Sequence, residues 1–150
     1  MKGKWISALL IIHGLIHITF EFSIFDPNTG EYVGWTRQSW ILSNALGTTA
    51  VTIIGLILWS LTILGFVAAG IILLLKREEW KIVAIVASFI SLIAYLFLWD
   101  GLAPEPMNWI AGPVVSAMVI IALLVFKWPK NEELFAINLD KSGVYNEQQN

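Results

Sequence analysis

Residues 5–25 read WISALLIIHGLIHITFEFSIF. The run is apolar and long enough to cross a bilayer, which takes about 20 residues. It nevertheless carries His13, His17 and Glu21 at intervals of four. Four residues advance a helix by about 400°, so the three groups share one face. At 1.5 Å per residue, His13 lies roughly 12 Å, His17 roughly 18 Å and Glu21 roughly 24 Å from the Trp5 end. A lipid-facing ionisable group costs a few kcal/mol on insertion scales. The face carrying all three is therefore expected to turn into a bundle.

The rest of the chain supplies that bundle. Of 150 residues, 57% are hydrophobic and 13% charged, against roughly 25% charged in soluble domains. This is the balance of a polytopic membrane protein. The net charge of −2 gives no reason to expect nucleic acid, and the absence of cysteine excludes disulfides and thiolate chemistry. The expected spans are about 5–25, 47–75, 82–99 and 109–127. Residues 38–46 are expected to be an interfacial or protruding turn of helix, and 131–150 a polar tail. Lys2 and Lys4 ahead of an apolar run resemble a signal peptide. The length of the run, its histidines and the lack of a small-x-small cleavage site favour a retained helix. Asp26-Pro27-Asn28-Thr29-Gly30 reads as a turn, and Trp128-Pro129 ends the last span. Strands are not expected, because the apolar runs are long and no ten-residue alternating segments occur. The fold class is an all-α, integral membrane four-helix bundle.

Orientation follows from the basic residues. Lys2, Lys4, Lys76, Arg77, Lys81, Lys127, Lys130 and Lys141 fall on one side, and only Arg37 on the other. The positive-inside rule then places both termini in the cytoplasm and the 26–40 and 100–108 loops outside, in the cytoplasmic membrane. Seven of the eight tryptophans flank spans, and Trp59 alone is mid-span. Gly65-x3-Ala69, Ala84-x3-Ser88 and Gly112-x3-Ser116 are candidate helix contacts.

In this arrangement the polar groups gather in the outer half. The candidate site comprises His13, His17, Glu21, Thr48, Thr52, Tyr95, Asp100 and Ser116, with Thr49 beside Thr48. Several uses fit it. The histidines could hydrogen-bond across helices without further role. They could serve a small ligand, a lipid headgroup or a proton, since an imidazole changes charge near neutrality, at about pH 6.5. Two histidines at i and i+4 are also a weak metal motif, short of a closed site. A membrane hydrolase or isomerase is a further option, without Gly-x-Ser-x-Gly, His-Glu-x-x-His or a phosphate loop to support it. No cofactor is implied. Arg37 is a candidate partner for Asp100 or Glu21.

The segments HGLIH at 13–17, SWIL at 39–42 and LFLWDG at 96–101, after a serine-containing third span, form a pattern. It resembles a group of small prokaryotic four-span membrane proteins with His-Gly-x-x-His in the first span. The likeness covers about residues 5–127. A looser one exists to the DoxX-like four-helix bundles, although this chain lacks the lysine that usually follows there. The resemblance implies the four-span topology. No activity is established for the group, so no catalytic residue is carried over. The functional expectation is a non-enzymatic membrane protein with a polar, outward-opening intrabundle site. The alternatives are an accessory subunit of a larger membrane complex or a metal-dependent membrane enzyme; the expected partners are membrane lipid, a small-molecule ligand or proton, and a second copy of the chain or a partner membrane subunit.

Overall fold

The computed structural model describes residues 2–130 and Leu134; the rest of the 131–150 tail lies outside the described residues. The chain is a helical bundle with four helices long and apolar enough to cross a membrane among the described residues. The first span is α1 (Lys2–Ile16) and its short continuation α2 (Ile18–Glu21). Then come β1 (Ile24–Asp26), β2 (Glu31–Trp35), α3 (Leu42–Leu74) and α4 (Trp80–Leu98). β3 (Leu102–Ala103) and α5 (Ala111–Ile120) follow, and a π-helical segment, Ile121–Val125, extends the fourth span.

Two expectations are corrected. The first span stops at Glu21 rather than Phe25, and three short strands exist where none were expected. The cause is local. Phe22 leaves the helix with ψ 77°, and Ser23 donates its hydroxyl to Trp35 O. The apolar residues that extended the run, Ile24 and Phe25, pair instead with Val33 and Tyr32. A hairpin needs only a turn flanked by β-branched and aromatic residues, and IFDPNTGEYVGW has both. The sheet order is β1-β2-β3, all antiparallel, with Trp35 opposite Leu102. It joins the 26–40 loop to the 100–108 loop and closes one end of the bundle, called here the sheet end. The start of α1, the 76–79 turn and residues 127–130 lie at the other, called here the terminal end.

α3 is broken at Gly47, whose φ of 76° and ψ of 163° are open essentially to glycine alone. Residues 42–46 therefore form a turn of their own, and 48–74 run on as the span. At 1.5 Å per residue that span is about 40 Å long, enough to cross with tilt. α3 packs against α1 and α4, and α4 against α5. The small residues Ala69, Ala84, Ser88 and Ser116 are all buried at these contacts.

The core has two parts. Toward the terminal end, Leu10, Phe66, Leu73 and Trp80 pack with Ala84, Ala87 and Leu123. Toward the sheet end, Phe20, Trp35, Trp59, Tyr95 and Leu98 form a cluster rich in aromatic rings. His17 touches rings of both, Phe66 on one side and Phe20, Trp59 and Tyr95 on the other. The buried polar layer thus sits at the seam between two apolar cores.

Candidate functional site

The site begins with how α1 meets α3. Ser7, Leu10, Gly14 and His17 face the bundle, while Leu9, Ile12, Leu15 and Ile16 are exposed. A Cβ on Gly14 would lie 3.0 Å from Phe66 Cβ and 3.1 Å from Ile63 O, so glycine permits the close approach. That approach puts the Phe66 ring against both imidazoles, at centroid distances of 4.6 Å from His13 and 6.2 Å from His17. The imidazoles themselves meet edge to face at 4.8 Å.

The backbone tightens at His17. Its N–H reaches Gly14 O, three residues back, at 3.1 Å rather than His13 O. The His13 carbonyl left over accepts a hydrogen bond from His17 Nδ1 at 2.8 Å. A carbonyl can only accept, so Nδ1 carries the proton and, in the neutral ring, Nε2 is an acceptor. His17 Nε2 lies 3.4 Å from Ser91 Oγ on α4. Ser91 Oγ lies 2.9 Å from Ser116 Oγ on α5. Ser116 Oγ in turn lies 3.4 Å from His13 Nε2. The order of protons follows from the anchored end of this chain, as an assignment from the network. Ser91 donates to His17, Ser116 donates to Ser91, and His13 Nε2–H donates to Ser116. The two serine–imidazole contacts are long, at the weak end of hydrogen bonding.

His17 is fully buried, and His13 is half-buried. Phe20, Trp59, Tyr95 and Trp109 form a layer of rings between the imidazoles and the sheet end. Trp59 Nε1 is buried without a hydrogen-bond partner among the described residues.

The eight residues expected at the site separate into four places. His13, His17, Tyr95 and Ser116 meet inside the bundle. Tyr95 contributes its ring, 5.9 Å from that of His17. Glu21 turns away from the imidazoles and accepts the Ser60 hydroxyl of α3. Thr48 and Asp100 line a separate polar pocket at the sheet end. Thr52 is half-buried on α3. The suggested side-chain pairs of Arg37 give way to main-chain contacts. Arg37 Nη2 donates to Glu21 O at 2.9 Å, and Asp100 Oδ1 accepts Trp40 N–H at 2.8 Å. Among the described residues, no group of three or more His, Cys, Asp or Glu side chains comes together.

Ser91, Ser60, Trp59 and Phe66 were not singled out for the site from the sequence. A serine within an apolar run is common, and only its depth could have marked it. Trp59 did stand out as the one mid-span tryptophan. In comparisons with protein-family models, curated proteins and solved structures, nothing matches this chain.

Proposed function

We propose that this multi-pass protein is non-enzymatic, resides in the cytoplasmic membrane with both termini inside, and holds a proton shared between His13 and His17. The observation that supports this is the continuous chain His13 Nε2, Ser116 Oγ, Ser91 Oγ, His17 Nε2. Of the three occupants considered for an intrabundle site, a proton alone needs no cavity, and the rings around His17 fill its surroundings. A proton arriving at His13 Nδ1 would displace Nε2–H toward Ser116. Successive hops through Ser91 would then protonate His17 Nε2. The positive charge moves between helix positions while every heavy atom stays in place.

Two charged imidazoles with centroids 4.8 Å apart would repel strongly in a low-dielectric interior. The pair therefore takes up one proton as a unit, with apparent behaviour that belongs to both rings. Glu21, one helical turn beyond His17, is engaged by the Ser60 hydroxyl of α3 and takes no part in this chain. The terminal end of α1 offers a hydroxyl at Ser7, already committed to Gly70 O at 2.6 Å. The arrangement suits binding of a proton better than its conduction across the bundle.

Proton uptake by the purified protein on a pH drop tests this. The His13→Gln/His17→Gln double variant should take up one proton fewer per chain. The Ser91→Ala/Ser116→Ala variant should keep both histidines but titrate over a different pH range, because its rings no longer share a chain. Equal uptake by wild type and the glutamine variant would end the proposal.

A second reading, an accessory subunit or a homo-oligomer, is favoured by the fourth span. Only 11% of its most apolar stretch is buried, against 28%, 33% and 39% for the other three. Size measurement in mild detergent, with and without crosslinking from Val114 or Met118, separates an associated fourth span from one that faces lipid.

A further inference from the structure

We propose that the sheet end carries a binding site for a single phospholipid with an ethanolamine headgroup, seated across Trp40. Two adjoining features support it. An apolar groove of about 440 Å³ lies between α4 and α5, lined by Leu92, Leu96, Ile110 and Pro113. A polar pocket of about 280 Å³ is lined by Gln38, Asn44, Thr48 and Asp100. Trp40 lines both. Small-molecule sites commonly enclose roughly 300–1,000 Å³, so the two together suit one amphiphile.

Trp40 is fixed at both ends. Its backbone N–H donates to Asp100 Oδ1 at 2.8 Å, and its indole N–H donates to Leu96 O at 3.0 Å. The residue as a whole remains 58% exposed. Tryptophan settles where hydrocarbon meets headgroups, since the ring is apolar and the N–H is polar. Here it marks that boundary. The groove on one side of it runs along the apolar ends of α4 and α5, at acyl-chain depth. The pocket on the other side belongs to the 38–48 segment and the end of the third span, at headgroup depth. The break at Gly47 turns the chain there, so that Asn44 and Thr48 both reach the pocket.

The pocket's chemistry selects the headgroup. Asp100 is its one charged residue, and no lysine or arginine lines it. Asp100 spends one oxygen on the Trp40 N–H and has a second for an ammonium group. Ser39 and Ser43 are largely committed to their own turn: Ser43 Oγ accepts Ser39 N–H at 2.8 Å, and Ser39 Oγ donates to Phe97 O at 2.6 Å. The amides of Gln38 and Asn44 and the hydroxyl of Thr48 supply donors for a phosphate. An ethanolamine lipid brings both an N–H-bearing cation and a phosphate. A glycerol headgroup would set an uncompensated anion beside Asp100, and a choline headgroup has no N–H to donate. This site shares no hydrogen bond with the histidine chain and stands or falls separately from it.

The test is native mass spectrometry of the full chain released from nanodiscs holding equal parts of ethanolamine, choline and glycerol phospholipids of identical acyl chains. One retained lipid per chain is expected, with at least a fivefold preference for ethanolamine. Asp100→Asn keeps an acceptor for the Trp40 N–H and removes the charge; it should abolish the preference. Asn44→Leu/Thr48→Val, at exposed positions, should lower retention of ethanolamine lipid at least threefold. Ile110→Trp, which fills the groove from an exposed position, should lower retention of every lipid. Equal retention of the three headgroups by wild type, or an unchanged preference in Asp100→Asn, would overturn the proposal.

Discussion

The hydroxyls of Ser91 and Ser116 meet at 2.9 Å between the third and fourth spans, and each also faces one histidine of the first. Because His17 Nδ1 is tied to His13 O, the whole chain has one polarity. His17 should be the Nδ1–H tautomer and His13 the Nε2–H tautomer. Nitrogen-15 NMR of histidine-labelled protein at neutral pH reads this directly. Identical tautomers at the two positions would contradict the assigned polarity.

The same chain predicts non-additive stability. Ser91→Ala leaves the His17 Nε2 acceptor without its donor. Interhelical hydrogen bonds in membranes average about 0.6 kcal/mol, and an unsatisfied buried group costs about 1–3 kcal/mol. A loss near 1 kcal/mol is expected. Ser116→Ala should cost about the same, but the double variant should cost well short of the sum, because the second change cuts a chain already broken. Thermal or denaturant unfolding in one detergent measures all three. Strict additivity would mean that the serines act independently.

Trp35 of the sheet packs directly on Gly55 of the second span. A Cβ on Gly55 would fall within the six-membered part of the Trp35 indole. Trp35 is completely buried, and its N–H donates to Gln38 O at 2.9 Å. Gly55→Ala should therefore cost more than the roughly 1–3 kcal/mol typical of an overpacked core. Gly47 makes the control. It has open space around it, so Gly47→Ala carries only backbone strain, of about 1–3 kcal/mol. Adding Trp35→Leu should restore Gly55→Ala in part and do nothing for Gly47→Ala. Comparable losses with no rescue would show that the indole is not what excludes a side chain at position 55.

The four-helix bundle was legible because hydrocarbon thickness sets the length of each apolar run. The loops were less so. In IFDPNTGEYVGW the aromatic residues that lengthened the first run belong to a hairpin, and hydropathy cannot tell a span from a short strand beside it. The four-residue spacing placed His13 and His17 on one face, but it assumed an unbroken helix. The tightened turn at His17 is a small backbone change, and Glu21 bonds to Ser60 rather than joining the imidazoles. Ser91 was invisible for a different reason. Its part depends on which face of α4 meets α1 and α5, and that depends on the packing of three helices at once.

Asp26 gives the hairpin a pH dependence. The Asn28 N–H donating at 2.9 Å to Asp26 Oδ1 holds this exposed carboxyl below its ordinary value. A carboxyl depressed in the folded state stabilises above its ordinary pKa, about 3.9 for aspartate, and that contribution disappears as pH falls through the lower folded value. The turn should loosen below about pH 4. Hydrogen exchange at Gly30, whose N–H donates to Asp26 O at 2.8 Å, should then exceed the intrinsic pH trend. Asp26→Asn should remove the excess. A wild-type profile that follows the intrinsic trend throughout would show that the carboxylate does not hold the turn.

The last prediction concerns which way the bundle faces. Among the described residues, seven of the eight basic ones (Lys2, Lys4, Lys76, Arg77, Lys81, Lys127 and Lys130) lie on the side of the start of α1 and the 76–81 turn, and Arg37 alone lies on the side of the sheet. Arg37 is moreover engaged with Glu21 O and with the Trp35 ring, its guanidinium carbon 5.8 Å from the ring centroid. It is held by the fold rather than free to weigh against insertion. A reporter fused after residue 130 should therefore be cytoplasmic, and one inserted at Asn28, in the exposed hairpin turn, should be external. Substituting Lys76, Arg77 and Lys81 together by glutamine should weaken this bias and yield mixed orientation, while Arg37→Gln should leave it unchanged. An external C-terminal reporter in the wild type would invert the bundle. The Trp40 site would then face the inner leaflet.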